Sequence, residues 1–239
     1  MRILIIRHGD PDYEKDSLTE KGWHEAELLA DKMEKLDIKA FYVSPLGRAQ
    51  DTANVTLKRI GRSAETHKWL REFQAPVFDK GKMRGPWDLM PSFYTANDDF
   101  YDINRWYKTG FMKKGPVHHE YKKVTGEFDK LLAAHGYVRE GKYYKATAAN
   151  TDTIAFFCHF GVECVLLSHL LNISPVSLWQ GFCAAPTSVT SLYTEEREKG
   201  IAVFRCGSFG DISHLYAGNE EPAFAARFCE IYDDITQRH

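Results

Sequence analysis

Two apolar runs in this chain end in a histidine. Ile3-Leu4-Ile5-Ile6 leads into Arg7-His8-Gly9, and Thr153-Ile154-Ala155-Phe156-Phe157-Cys158 leads into His159-Phe160-Gly161. A third apolar stretch, Ala40-Phe41-Tyr42-Val43, runs into Ser44-Pro45-Leu46-Gly47-Arg48. Arginine offers a fixed fork of donors for paired oxygens, histidine offers a nucleophile or base, and glycine lets backbone approach a ligand. Brought together, Arg7, His8, Arg48 and His159 make a local anion site, for which a phosphoryl group is the natural occupant.

Such a site needs His8 neutral, because only an unprotonated ring nitrogen attacks phosphorus, and neighbouring arginines push its pKa down. Arg7, Arg48 and His159 would then stabilise charge on the equatorial oxygens as phosphoryl transfer proceeds. The leaving alkoxide needs a proton, and Glu72, Asp10 and Glu163 are the candidate acids. Glu72 follows an apolar strand end and is the best placed; it reads equally as a salt-bridge partner, with Arg71 adjacent.

Apolar runs bounded by glycine read as strands buried on both faces of a parallel sheet, whose carboxyl ends are where ligands bind. Thr19 is positioned to cap a helix to about Leu36, with Trp23, Ala26, Leu29, Ala30 and Met33 at helical spacing. Further helices are predicted from about Gln50 to Gly61, from Val117 to His135, from Val162 to Leu171 and at about 222–235. Further strands are predicted at 64–69, 187–194 and 201–206, while 141–152 reads as a polar connection. Strands alternating with helices predict an α/β fold, a three-layer αβα sandwich with a mostly parallel sheet. The chain reads as a single domain, 1–239, with an insertion or lid over 76–135. Nine aromatics fall in the 35 residues from Trp87 to Tyr121, against 13% for the whole chain. That density predicts either a lid over a pocket or a minor core.

With 31 basic and 33 acidic residues the net charge is -2, so no overall basic field recruits nucleic acid or an anionic membrane. No run approaches the ~20 apolar residues of a membrane span, and the amino terminus lacks a signal-like segment. The expectation is a soluble cytoplasmic protein, monomer or homodimer. Five cysteines with no C-x-x-C pair read as reduced thiols, most of them small core residues, with Cys158 a packing residue. The spacing supports no zinc site.

The residues quoted above resemble the histidine phosphatase superfamily, also called phosphoglycerate mutase-like. The resemblance rests on Arg7-His8-Gly9, on Ser44-Pro45-Leu46-Gly47-Arg48-Ala49-Gln50-Asp51-Thr52-Ala53 and on His159 after a late strand. It covers residues 1 to about 73 and 153 to about 172. It implies that His8 becomes transiently phosphorylated, that Arg7, Arg48 and His159 bind phosphate with it, that Glu72 donates the proton, and that neither metal nor cofactor is used. Pro11 and Glu14 stand where members commonly carry Thr or Ser and Asn, and Phe160 and Cys164 depart from the usual second motif. His214, in Ser213-His214-Leu215, is similar to a late element of some members.

Mutases of the family extend the first motif with an asparagine and a Gly-Trp segment, neither of which stands between Asp10 and Gly22. The resemblance therefore ranks a phosphomonoester hydrolase acting on a small phosphorylated metabolite above a cofactor-dependent phosphoglycerate mutase. A non-catalytic phospholigand-binding protein is the alternative of a different class. His118-His119-Glu120 reads as a solvated helix start or as a group reaching the pocket mouth.

Overall fold

The computed structural model describes residues 1–224, 231–234 and 236. Eight strands form one sheet: β1 (Arg2–Arg7), β2 (Ala40–Val43), β3 (Glu65–Thr66), β4 (Tyr137–Glu140), β5 (Tyr143–Ala146), β6 (Thr153–Cys158), β7 (Val189–Glu198) and β8 (Ile201–Asp211). Their spatial order is β3-β2-β6-β1-β7-β8-β5-β4. The first four pair in parallel, and the rest extend the sheet by antiparallel pairing; six of the eight strands run in the sense of β1. The three strand ends carrying Arg7-His8, His159 and Ser44-Arg48 are thus the adjacent central strands β1, β6 and β2.

β1 is buried on both faces because successive side chains point to opposite sides of the sheet. Ile3 and Ile5 enter one core with Ile154, Phe156 and Cys158. Leu4 and Ile6 enter the other with Ala155, Phe157, Phe41 and Val43. Helices α1 (Glu20–Met33) and α2 (Gly47–Ile60) close the second core with Leu29, Met33, Ala49 and Ala53. A short helix, α3 (Pro91–Tyr94), belongs to the insertion. Helices α4 (Val117–Ala134), α5 (Phe160–Leu171) and α6 (Pro175–Gly181) cover the first core. The result is the expected αβα layering. A last short helix, α7 (Ser213–Ala217), packs on α1.

Local chemistry explains the boundaries. Thr19 accepts the Gly22 N–H at 3.0 Å and starts α1 as predicted, but Trp23 faces outward, 40% exposed, rather than joining the core. α5 is buried almost all round, as befits a helix sandwiched between the sheet and α4 and α6. The strand predicted at 64–69 is only Glu65–Thr66, followed by a 3-10 turn at Lys68–Leu70. The expected polar connection at 141–152 instead begins with β5, which forms a hairpin with β4 around Gly141 at φ +60°. Half of the helix expected at about 222–235 lies outside the described residues, and the described parts, 222–224 and 231–234, are not helical.

Most aromatics of the insertion join the first core instead of building a minor one: Phe100, Trp106, Phe111 and Tyr121 are buried in it, and Trp87, Tyr94 and Tyr107 pack against it. Phe93 packs edge-on against Phe100 and Phe111, and Trp106 against Tyr121 and Trp179. Of the four described cysteines, Cys158 and Cys164 are buried, whereas Cys183 and Cys206 are exposed, so only half take the expected core role. No helix among the described residues is long and apolar enough to cross a membrane.

Candidate active site

At the carboxyl ends of β1, β2 and β6 the chain leaves the sheet into a cavity of about 660 Å³, lined by Arg7, His8, Arg48 and Glu72 among others. His159 lies behind it, its ring centroid 5.0 Å from that of His8 at an interplanar angle of 57°. All five residues expected to form the site are therefore brought together. Asp10 and Glu163, the other candidate acids, do not line this cavity. Asp10 accepts the Thr19 hydroxyl at 2.7 Å, and Glu163 accepts the Thr190 hydroxyl at 2.5 Å from within the core.

His8 is 2% exposed. Its Nδ1 lies 2.7 Å from the Gly9 carbonyl oxygen, which can only accept, so Nδ1 carries the proton of the neutral ring. Nε2 is left with its lone pair and accepts from Arg48 Nε at 3.3 Å. Burial, reinforced by the Arg7 charge, lowers the His8 pKa to about 3, so the ring is neutral at pH 7. His159, fully buried, is held neutral too, by desolvation and then by its cationic neighbours.

Two residues overlooked in the sequence support these histidines, Ser44 at the His159 ring and Thr187 at the His8 backbone. Ser44 Oγ is 2.7 Å from His159 Nε2 while accepting the Leu46 N–H at 3.2 Å. His159 Nδ1 is buried with no hydrogen-bond partner among the described residues. Thr187, at φ +57°, donates its N–H to the His8 carbonyl at 3.1 Å. His214 Nε2 in turn sits 3.0 Å from Thr187 Oγ1, a buried supporting role outside the cavity. Ser44 was signalled by its place at a strand end before Pro45; nothing local marked Thr187.

Arg7 donates to the Ala184 carbonyl, and its Nε is buried with no partner among the described residues. Arg48 is clasped by Asp16, Nη1 to Oδ1 at 2.6 Å, and lies over the Tyr13 ring at 5.4 Å. Asp16 Oδ2 also takes the Gly47 N–H at 2.7 Å, at the start of α2. Gly47 is required there: a Cβ would stand 2.0 Å from the Asp16 carbonyl oxygen. Pro11 lies in a two-stranded turn with Leu18, and Glu14 is exposed; Tyr13 and Asp16 are the residues of this loop that reach the site.

Glu72 Oε1 accepts the Phe73 N–H at 2.7 Å and, from the first turn of α5, the Val162 N–H at 3.1 Å. Burial raises its pKa above the ordinary carboxyl value. Arg71 turns away and donates to Gln74 at 2.7 Å, so the expected pairing with Glu72 does not form. A Cβ on Gly161 would lie 2.5 Å from Glu72 Oε1 and 3.2 Å from the Trp87 ring, so the absence of a side chain there keeps the carboxyl in place. First-turn amides of α2 and α5 are taken by Asp16 and Glu72.

From the insertion, Gly85, Trp87 and Asp88 line the cavity, joined by Phe160, Trp179, Gln180 and Phe182. His118 does not; it stacks on Tyr107 at 3.8 Å beside a separate cavity.

Comparison with known proteins agrees with this architecture. Residues 3–107 match the family model of the histidine phosphatase superfamily, branch 1. A 2,3-bisphosphoglycerate-dependent phosphoglycerate mutase of Thermoplasma acidophilum is 35% identical over 34% of this chain and 44% of its own length. The mitochondrial serine/threonine-protein phosphatase Pgam5 of Caenorhabditis briggsae is 27% identical over 89% of this chain and 64% of its own. The matched region thus spans less than two thirds of either curated relative. Among solved structures, a mutant of the Entamoeba histolytica phosphoserine phosphatase in complex with phosphoserine superposes with TM-score 0.61 at 18% identity, covering 90% of this chain and 98% of that one. A mycobacterial glucosyl-3-phosphoglycerate phosphatase with VO3 gives TM-score 0.58 at 18% identity, covering 87% and 98%. Over residues 3–107 the chain is thus similar in sequence to the histidine phosphatase superfamily, and over most of its length its fold is that of the solved phosphatases.

Proposed function

We propose that this protein is a metal-independent phosphomonoesterase working through phosphohistidine at His8. The observation that carries this reading is the fixed tautomer of His8: its proton is held by the Gly9 carbonyl, so the Nε2 lone pair lies in a cavity shared with Arg7, Arg48 and Glu72. Nε2 attacks phosphorus, the P–O bond to the alcohol breaks, and Glu72 gives its proton to the departing alkoxide. Water then attacks the phosphohistidine with Glu72 taking a proton back, and inorganic phosphate leaves.

Arg7 and Arg48 bind the equatorial oxygens as charge spreads over them. Ser44 has one hydroxyl proton to give; giving it to His159 Nε2 leaves the His159 proton on Nδ1, the unpartnered nitrogen, as a further donor. The likeness to named phosphatases supports hydrolysis, and the Thermoplasma relative supplies the mutase alternative. Hydrolysis of p-nitrophenyl phosphate in EDTA, with the His8→Ala variant alongside, tests the proposal. Turnover in the wild type that His8→Ala abolishes is expected. Absence of turnover with vanadate binding intact would leave a binding protein; phosphate transfer between carbons of phosphoglycerate would make it a mutase.

A further inference from the structure

The cavity extends well beyond what a phosphoryl group fills, and the chemistry of its outer walls differs from that of its inner end. At about 660 Å³ it has the size of a site for a substantial small molecule. The inner end holds its two cations, Arg7 and Arg48. Among the described residues no other lysine or arginine lines it. Arg48 is already paired with Asp16, and Arg71 is bound to Gln74 outside the cavity. The outer wall carries one charge, the carboxylate of Asp88, with Arg84 Nε 3.7 Å from it but outside the lining.

The remaining outer surface is uncharged and mostly aromatic, with Gln180, Cys183 and Ala184 beside the rings. Trp87 is fixed as a wall: Gln180 donates to its carbonyl at 2.6 Å, and its ring meets that of Trp179 edge-on at 6.1 Å. Trp179 is itself anchored by its Nε1–H to the Gly161 carbonyl at 3.1 Å. Phe160 and Phe182 complete the rim. A carboxylate or second phosphate on the alcohol would meet Asp88, already paired with Arg84, and ring faces, with no cation of the lining to receive it, losing its hydration without compensation. A neutral ring would stack on these faces.

We infer that the alcohol portion of the substrate is uncharged and carries an aromatic or comparably flat apolar ring, and that alcohols bearing a carboxylate or second phosphate are rejected. The inference rests on Arg7, His8 and Arg48 being the phosphoryl end, as proposed above. It excludes phosphoserine and phosphoglycerate as preferred substrates.

Binding of two nonhydrolysable probes, benzylphosphonate and 3-phosphonopropionate, measured by calorimetry on the wild-type protein, tests the preference separately from turnover. Benzylphosphonate should bind about ten-fold tighter or more. Asp88→Lys, an exposed change, should improve 3-phosphonopropionate by about ten-fold, and Trp87→Ala should weaken benzylphosphonate selectively. Equal or reversed affinities in the wild type, or binding of neither probe, overturn the inference. The expected preference without hydrolysis of any aryl phosphate would uphold it while removing the hydrolase reading.

Discussion

The imidazole rings of His8 and His159 stand 5.0 Å apart, tilted by 57°, each held neutral by burial and each with one nitrogen fixed by a neighbouring oxygen. Gly9 fixes Nδ1 of the first ring and Ser44 fixes Nε2 of the second. The pair therefore presents opposite nitrogens, a lone pair on His8 Nε2 and Nδ1 on His159. That division of labour follows from which oxygen each ring meets.

Removing the Ser44 hydroxyl tests that division. Ser44→Ala leaves His159 Nε2 buried without its partner, which costs about 1–3 kcal/mol. The melting temperature should fall accordingly, and kcat should fall with it because Nδ1 is no longer fixed as the protonated nitrogen. Unchanged stability and kcat would show that Ser44 does not orient the ring.

Glu72 has a distinguishing signature as a proton donor. Glu72→Gln should slow hydrolysis of alkyl phosphates by roughly 10²–10⁴-fold, the usual range for general acid catalysis. Formation of the phosphohistidine from p-nitrophenyl phosphate, whose leaving group needs little protonation, should slow far less. Gly161→Ala, which would push a methyl group against Glu72 Oε1, should reproduce the same pattern. A uniform loss across leaving groups would assign Glu72 a structural role only.

Stability should depend on pH through the buried histidines. The folded pKa values of His8, about 3, and His214, about 4, lie below the unfolded value near 6.5, and that of His159 is lowered too. The unfolded chain therefore binds more protons, so the stability these residues contribute is complete above pH 6.5 and is lost as pH falls toward the folded values. Glu163 opposes this: burial raises its pKa to about 7, so between about pH 4.5 and 7 it binds a proton in the folded state that the unfolded chain lacks. Denaturant unfolding at pH 5, 6 and 7 should show stability falling on acidification. Glu163→Gln should steepen that dependence by up to about 1.4 kcal/mol per pH unit. A slope unaffected by the substitution would contradict the opposing titration.

What the sequence made legible was local. β1, β2 and β6 are apolar runs that lead into Arg7-His8, Ser44-Arg48 and His159, so the grouping of these residues at one end of the sheet was legible in the sequence. The β4–β5 hairpin was not: Tyr137–Glu140 and Tyr143–Ala146 are four residues each at an antiparallel edge, mix charged with apolar side chains and lack the continuous apolar run of a central strand. The clasps that finish the site were hidden by distance along the chain. Asp16 reaches Gly47 across 31 residues, and Glu72 reaches Val162 across 90. Likewise the aromatic density at 87–121 did not reveal that Trp87 alone among its aromatics lines the cavity while Phe100, Trp106, Phe111 and Tyr121 are buried in the first core.

The most direct test of the account is to quench the protein during turnover of p-nitrophenyl phosphate under alkaline conditions and locate any phosphoryl group by mass spectrometry. A phosphoryl adduct on His8, stable to alkali and lost in acid, is the predicted result. Sustained hydrolysis with His8 unmodified, or with the adduct on another residue, would contradict it.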